Sequence, residues 1–255
     1  MAAVSKAIPL WVATLTADYF VARFGRGTRL DLQRDVAYST VMLTTQLMQT
    51  AEPDPGPIDW DQPDEVRGWI EETARKRPYR PLFFRAFADQ VAEYLLPAGR
   101  ILELGSGPGM LAEAILANEL VMSYSLLDFS APMHALARER LEQYDYKLHF
   151  LQRDFRESDW SEGLGPFDMI VTMQAVHEVR HKRHVPDLLD HVYSLLPPDG
   201  CFLYADHFFD IDERPNDSLF MTRDEQYDVL IHAGFGRVDL VMEEGGMAMY
   251  RAVKE

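Results

Sequence analysis

The chain has 255 residues, 47% of them hydrophobic and 26% charged, which is typical of one large globular domain or of a domain with an appendage. Its single cysteine, Cys201, excludes an internal disulfide and favours a cytoplasmic location. The net charge of −16 disfavours nucleic acids and anionic membranes as partners, because an acidic surface repels phosphate groups.

The first 96 residues carry helix signals and no strand pattern. Apolar residues around Trp11 recur at helical spacing, in a run too short to span a bilayer. Residues 52–63 are rich in proline and predict a loop. Further helices are predicted after Asp64 and from Pro81. We expect residues 1–96 to form a helical region that serves either as a lid over the pocket or as the interface of a homodimer.

From residue 97 onward, short apolar runs alternate with amphipathic helical stretches. The runs are residues 100–104, 123–128, 147–152, 168–173, 201–206, 237–242 and 247–253. This alternation predicts an α/β fold with a doubly wound, mostly parallel sheet of seven strands. Only residues 243–246 separate the last two runs, which permits an antiparallel C-terminal hairpin and no helical crossover. We expect residues 97–255 to form one Rossmann-like domain.

A glycine-rich turn joins the first predicted strand to a helix. Its glycines are Gly105, Gly107 and Gly109. They let the backbone turn tightly and approach a ligand closely. Met110 stands where the dinucleotide fingerprint requires glycine, and Pro108 lacks the backbone N–H that a pyrophosphate would use. The turn therefore favours a nucleoside without phosphates over NAD.

An acidic residue, Asp128, ends the second predicted strand. A carboxylate at this position accepts hydrogen bonds from the hydroxyls of a ribose. Because enzymes that use NAD recognise ribose in the same way, Asp128 does not by itself distinguish the two classes of cofactor.

Five segments resemble, in order, motifs of the class I methyltransferases that depend on S-adenosylmethionine (SAM). The segments are residues 103–109, 127–130, 153–155, 167–174 and 195–200. The resemblance covers roughly residues 97–255, including the alternation that ends in a hairpin. It implies that SAM is the cofactor.

The resemblance also implies which residues surround the cofactor. They are Glu103, Gly105, Ser106, Gly107, Gly109, Asp128, Phe129, Met133, Asp154, Phe155 and Gln174. By this resemblance the glycine turn lines the methionine part of SAM, and Asp154 with Phe155 holds the adenine edge. For Phe129 and Met133, packing in the core is the alternative interpretation.

Two histidines and an aspartate follow the fourth and fifth predicted strands, where the methyl group of SAM should point. Histidine accepts a proton near neutral pH, and residues 174–179 resemble the histidine–acid step of small-molecule O-methyltransferases, which makes His177 the candidate base. A structural role for His177 is the alternative. Asp206 and His207 would orient the acceptor or share proton transfer. A metal site formed by these residues is a less favoured interpretation.

Charged clusters elsewhere have two interpretations. One basic cluster comprises Arg75, Lys76, Arg77, Arg80 and Arg85. It indicates contact with an acidic substrate group or, as the alternative, a solvated helix face. His181 and His184 lie in a second charged stretch, which we expect to be a solvated helix start.

Together these patterns predict an enzyme that transfers the methyl group of SAM to oxygen, nitrogen or carbon of a small molecule. A methyltransferase acting on protein or RNA is one alternative, which the net charge disfavours for RNA. A catalytically silent SAM-binding regulatory module is the other. The intact glycine turn, together with Asp128 and Asp154, argues against a loss of cofactor binding.

Overall fold

The computed structural model describes residues 56, 58–117, 119–208 and 218–255, so the helix predicted around Trp11 lies outside the described residues. Within them, the α-helices are α1 (Pro63–Lys76), α2 (Arg80–Tyr94), α3 (Met110–Leu116), α4 (Ala131–Arg140), α5 (Val185–Leu195) and α6 (Arg223–His232). The strands are β1 (Gly99–Leu104), β2 (Val121–Asp128), β3 (Leu148–Gln152), β4 (Met169–Met173), β5 (Cys201–His207), β6 (Arg237–Glu244) and β7 (Met247–Val253). Short 3-10 helices span Glu142–Lys147, Val176–Val179 and Lys182–His184.

The strands form one sheet in the order β3-β2-β1-β4-β5-β7-β6. Strands β1 to β5 pair in parallel, whereas β7 lies between β5 and β6 and is antiparallel to both. This arrangement confirms the predicted sheet of seven strands and its antiparallel hairpin. The order reverses between β1 and β4, so the carboxyl ends of these strands flank the crevice in which open α/β sheets bind ligands.

Apolar side chains cover both faces of the sheet. On one face, α5 and α6 pack around Leu189, Phe202 and Leu230. On the other face, α2, α3 and α4 pack around Phe87 and Ile115. Successive residues of a strand point to opposite faces, which explains the continuous apolar runs of the buried strands. The helix α2 lies before residue 97 in the chain but packs in the same core as the sheet. The proposed domain boundary near residue 97 therefore stays a prediction.

Local signals account for the starts of the helices. Proline stands in the first turn of α1, α2, α4 and α5, where its missing N–H costs no hydrogen bond. The Oγ of Ser130 caps α4 by accepting a hydrogen bond from the N–H of Met133 at 3.2 Å. Thr222 and Glu225 form a reciprocal capping box at the start of α6. No helix in the described ranges is both long and apolar enough to cross a bilayer.

Paired glycines form the turn of the C-terminal hairpin. Gly245 and Gly246 have φ angles of 57° and 76°, a left-handed conformation that glycine adopts without steric cost. Two such residues in succession match the twist of the flanking strands. A side chain at Gly245 would overlap the ring of Tyr79, so the hairpin turn packs against the residue that precedes α2.

The prediction of a solvated helix start at His181 is wrong. The His181 side chain is only 3% exposed, and its Nδ1 accepts a hydrogen bond from the N–H of Arg183 at 3.1 Å. The imidazole thereby caps the 3-10 helix that precedes α5. His184, in the same stretch, is half-buried. Capping satisfies a backbone donor that a solvated side chain would leave to water.

Candidate active site

The glycine turn between β1 and α3 is shaped by close packing and left-handed backbone. Gly105, Gly107 and Gly109 have φ angles of 63°, 52° and 78°. A Cβ at Gly105 would overlap the Cβ of Ala175, and one at Gly109 would lie 3.0 Å from Leu141 Cδ1. A Cβ at Gly107 would meet no atom within 4 Å. The turn therefore packs against the protein at two glycines and presents open space at the third, as a ligand cradle requires.

Asp128 ties the end of β2 to this turn. Its side chain accepts hydrogen bonds from the N–H of Gly107 at 2.8 Å and from the N–H of Ser130 at 2.9 Å. Asp128 is 8% exposed, and burial raises the pKa of its carboxyl to about 6 despite these two hydrogen bonds. The carboxylate lies beside the glycine turn, in a position to accept further hydrogen bonds from a ligand.

A cavity of about 90 Å³ opens above this point and collects most of the residues that the resemblance implies. Its lining comprises Trp60, Trp69, Arg77, Gly105, Gly107, Asp128, Phe129, Met133, Phe155, Gln174, Ala175, His177 and Glu178. The cavity thus brings the glycine turn, the acidic end of β2 and the candidate base together. Apolar rings with a few converging polar groups are typical of a small-molecule site.

A second cavity, of about 40 Å³, adjoins the glycine turn on the side of α2 and is lined in part by Glu103 and Ser106. Glu103 accepts a hydrogen bond from the hydroxyl of Tyr124 at 2.8 Å, and burial raises the pKa of its carboxyl to about 8. Glu103 is therefore protonated at neutral pH. The hydroxyl of Ser106 is buried and has no hydrogen-bond partner among the described residues. Such an unpaired polar atom fits a ligand that bears hydrogen-bonding groups.

Asp154 is absent from the wall of the larger cavity, whereas its neighbour Phe155 lines that wall. The carboxylate of Asp154 pairs with the guanidinium of Arg156, with Nη2 and Oδ2 2.6 Å apart. Burial raises the pKa of this carboxyl, but the hydrogen bonds and charge of Arg156 lower it below its ordinary value. The guanidinium also lies 4.9 Å from the ring centroid of Phe129. Contact between Asp154 and the adenine of SAM stays a prediction.

His177 and Asp206 form a hydrogen-bonded pair at the end of the sheet. The Nδ1 of His177 lies 2.7 Å from Oδ1 of Asp206, and the backbone N–H of His177 donates to Oδ2 at 2.9 Å. These contacts arise because Asp206, the penultimate residue of β5, lies beside the 3-10 helix that follows β4. The His177 side chain is 15% exposed and lines the larger cavity. Asp206 therefore fixes the orientation of a ring that still reaches the cavity.

The charge of Asp206 sets the protonation of His177. Burial lowers the pKa of His177, but the attraction and hydrogen bond of Asp206 outweigh it, so the pKa lies above its ordinary value. Burial likewise raises the pKa of Asp206, and the attraction of His177 lowers it below its usual range. The pair thus holds an ionised carboxylate beside an imidazole that binds a proton more readily than a free histidine.

His207 lies behind the cavity instead of in its wall. Its Nε2 is 2.8 Å from the side-chain nitrogen of Gln174, and its backbone carbonyl accepts a hydrogen bond from Gln226. Gln174 has a φ of 59°, a conformation that directs the chain from β4 into the 3-10 helix. The structure therefore places His207 where it supports Gln174, and direct contact between His207 and an acceptor stays a prediction.

Two aromatic residues in the wall of the larger cavity, Trp60 and Trp69, have no role in the sequence motifs. The rings of Trp60 and Trp69 meet edge to face with centroids 5.3 Å apart, and the carbonyl of Trp60 accepts a hydrogen bond from Ser130 Oγ at 2.6 Å. An aromatic residue in a proline-rich loop is the signal that points to Trp60.

The basic cluster divides between the site and the solvent. Arg77 lines the larger cavity and Arg80 the smaller one, whereas Arg75, Lys76 and Arg85 are exposed. The three exposed members fit a solvated helix face, and contact of Arg77 or Arg80 with an acidic substrate group stays a prediction. Among the residues with described positions, no group of three histidine, cysteine or acidic side chains has an arrangement that could hold a metal ion.

Comparison with known proteins relates this geometry to a family. A family model described as "Methyltransferase domain" matches residues 74–232. The "Highly reducing polyketide synthase 40" of Fusarium pseudograminearum (strain CS3096) is 31% identical over 115 residues, which are 42% of this chain and 4% of the synthase. The chain therefore corresponds to a small part of that relative.

Two solved structures share the fold. A CurJ carbon methyltransferase superposes with a TM-score of 0.61 at 21% identity, covering 77% of this chain and 61% of the other. Human N-acetylserotonin methyltransferase, solved in complex with SAM, superposes with a TM-score of 0.57 at 16% identity, covering 76% of this chain and 57% of the other. The chain thus spans about three fifths of the length of each, and at these identities the likeness concerns the fold.

Proposed function

We propose that this chain, which belongs to the methyltransferase domain family and uses SAM as its cofactor, methylates a small molecule. The acceptor atom of that molecule gives up a proton to His177. One observation carries the proposal: the His177–Asp206 pair opens onto the cavity that the glycine turn and Asp128 line. The pair supplies a base, and the cavity supplies a place for the cofactor beside it.

The residues of the larger cavity fit the parts of SAM. The open side of Gly107 accommodates a ligand beside the glycine turn, and the carboxylate of Asp128 accepts hydrogen bonds from the ribose hydroxyls. Phe129 and Phe155 provide apolar surface for a purine. When bound, SAM supplies an electrophilic methyl group on a sulfonium sulfur, which a nucleophilic acceptor atom can displace.

SAM supplies the methyl group, and the protein supplies the group that accepts the proton of the acceptor. In neutral His177, the N–H at Nδ1 donates to Asp206, so Nε2 is the atom left to accept a proton from the acceptor. The carboxylate of Asp206 then stabilises the imidazolium that forms. The carboxylate of Glu178 lies 3.5 Å from Nε2 and favours the same charged form.

The cavity favours an acceptor with an acidic proton and a flat or anionic group. A histidine base suits a phenol, whose pKa is about 10, or a carbon between two carbonyl groups. Trp60 and Trp69 offer aromatic surface, and Arg77 offers a positive charge for an enolate or phenolate. Oxygen and carbon acceptors are therefore the two classes that we propose.

Location and assembly belong to the proposal as well. We propose a cytoplasmic location because the single cysteine, Cys201, cannot form an internal disulfide, as suits a reducing compartment. A homodimer through the N-terminal helices is proposed from the sequence pattern of residues 1–96 alone. Sedimentation at several concentrations tests the dimer, and a monomer at all of them would contradict it.

Two measurements test the function. Isothermal titration should show binding of SAM and S-adenosylhomocysteine (SAH) and no binding of NAD. Turnover with labelled SAM on a phenol and on a β-dicarbonyl compound should then fall about 10²–10⁴-fold in His177→Gln, with SAM affinity unchanged. His149→Gln, an exposed histidine of β3, is the matched control. Equal turnover in His177→Gln would leave His177 a structural role, and binding without turnover on either acceptor would favour the regulatory module.

A further inference from the structure

Arg80, at the start of α2, places a guanidinium in the smaller cavity beside the glycine turn. The same cavity is lined by Glu103, Gly105, Ser106 and Gly107. Arg80 comes from a helix that precedes the sheet, and the sequence places it only in the basic cluster, with no role toward the cofactor. Its side chain thus reaches the place where the methionine part of SAM is expected to lie.

The guanidinium has no anionic partner in the described part of the chain. Its Nε is buried without a hydrogen bond, and its Nη1 contacts only the sulfur of Met110, at 3.9 Å. Glu103 lines the same cavity, but its carboxyl accepts a hydrogen bond from Tyr124, and among the described residues it forms no ion pair with Arg80. A partly buried cation without a counter-ion is costly, and here burial and the charge of Arg77 lower the pKa of Arg80 to about 10.

Aromatic rings hold this cation in position. The central carbon of the Arg80 guanidinium lies 5.3 Å from the ring centroid of Phe84 and 6.0 Å from that of Trp69. Cation–π contacts of this kind orient a guanidinium without neutralising its charge. The unpaired hydroxyl of Ser106 lies in the wall of the same cavity and offers a second donor. The site therefore presents oriented donors and an unneutralised positive charge to whatever binds there.

We propose that Arg80 is the counter-ion for the carboxylate of the methionine part of SAM. A guanidinium and a carboxylate match in charge and in planar, two-pronged geometry. The assignment rests on the proposed function, since it places SAM in these cavities. It makes α2, a helix outside the glycine motif, the source of affinity for the amino-acid end of the cofactor.

Isothermal titration with three ligands tests the assignment. SAH carries the carboxylate, its carboxamide analogue lacks the charge, and 5′-methylthioadenosine lacks the whole amino-acid part. Arg80→Met should weaken SAH binding about 30-fold and leave methylthioadenosine binding nearly unchanged, because a charged hydrogen-bonded pair contributes roughly that much affinity. Arg80→Lys should recover part of the loss. Arg85→Met, an exposed arginine of the same helix, is the matched control and should change neither ligand.

The design separates the possible failures. Equal weakening of SAH and methylthioadenosine in Arg80→Met would overturn the assignment and make Arg80 a support of the glycine turn. Should Arg80→Met not fold, the wild-type protein and Arg80→Lys still decide, because the preference for SAH over its carboxamide should be large in the first and reduced in the second. An equal preference in both would overturn the assignment. A wild-type chain that binds neither SAH nor methylthioadenosine would overturn the proposed function itself.

Discussion

At the scale of single residues, Asp206 determines when His177 can act as a base. His177 accepts a proton only in its neutral form, so kcat/KM should rise as the pH passes upward through its pKa. Because Asp206 raises that pKa, the acidic limb of the profile should lie above the ordinary value of 6.5. Asp206 thus stabilises the protonated His177 that forms during the reaction, but for the same reason it keeps His177 protonated, and inactive as a base, at low pH.

Asp206→Asn removes the charge and keeps the shape of the side chain. We expect kcat to fall about 10²-fold and the acidic limb of kcat/KM to move to lower pH, since burial then acts on His177 without the opposing attraction. A pH profile measured for each protein checks both effects. Glu178→Gln, which removes a weaker influence on the same ring, should shift the limb less. An unmoved limb in Asp206→Asn would show that another group controls the profile.

Asp128 should control cofactor affinity through its own charge. Asp128→Asn should weaken SAH binding about 10–100-fold, because a carboxylate accepts stronger hydrogen bonds from ribose than an amide does. In the wild-type protein, affinity should fall as the pH drops through about 6, where Asp128 takes up a proton. Titration calorimetry at two pH values measures both, with the exposed Asp145→Asn as control. Unchanged affinity in a folded Asp128→Asn would remove the ribose assignment.

Residues within motifs could be predicted from the sequence, whereas residues that meet only in three dimensions could not. Gly105, Asp128 and His177 follow predicted strands, and the rule for open sheets places such residues at one edge. Trp69 and Arg80 reach the same edge from helices that precede the sheet. Their position depends on how α1 and α2 pack, which hydrophobic periodicity does not reveal.

At the scale of elements, the glycine turn is the part of the site least able to accept a side chain. Gly105→Ala would bring its Cβ into Ala175 and would hold alanine in a left-handed conformation. We expect a loss of about 2–4 kcal/mol in the free energy of unfolding, from overpacking and backbone strain together. Denaturant unfolding measures it.

Gly163→Ala separates the two causes of that loss. Gly163 has a φ of 72° but no atom within 4 Å of an added Cβ, so it carries the strain without the overlap. The variant should lose only about 1 kcal/mol and should bind SAH as the wild type does. Equal losses in the two variants would show that backbone strain, and not contact with Ala175, limits position 105.

The strands were predictable because each is an apolar run of limited length between turn residues. All seven predicted runs are strands, with bounds that differ by at most two residues. The spacing of apolar residues predicts one helix over residues 182–196, which the structure divides into a 3-10 helix (Lys182–His184) and α5 (Val185–Leu195). The 3-10 helix begins where His181 turns inward to cap the backbone. Side-chain capping of this kind depends on packing that the charged sequence RHKRH does not reveal.

At the scale of the whole molecule, the protonated Glu103 makes stability depend on pH. Its pKa is about 8 in the folded chain and 4.5 in the unfolded one, so the folded state binds the proton more tightly. The stability that Glu103 contributes is therefore fully present below pH 4.5 and is lost as the pH rises through 8. Over pH 5 to 9 the loss should be about 4 kcal/mol.

Glu103→Gln should remove this dependence and keep the shape of the side chain. As the pH rises from 5 to 9, the free energy of unfolding should fall in the wild type and not in the variant, so the variant should become more stable relative to the wild type. Denaturant unfolding at intervals of one pH unit measures the difference. Glu113→Gln, a partly exposed residue of α3, is the control and should remain parallel to the wild type. A constant difference for Glu103→Gln would mean that Glu103 is ionised in the folded protein.

The pair of indole rings in the larger cavity has an optical consequence. The chain contains four tryptophans, and two of them, Trp60 and Trp69, line the cavity with centroids 5.3 Å apart, whereas Trp160 is buried in the core. A purine stacked beside them should quench their emission, so SAH should dim the intrinsic fluorescence of the protein in a saturable way. Trp69→Phe should diminish the signal and Trp160→Phe should preserve it. Stopped-flow fluorescence would then follow the arrival and departure of the cofactor without any label.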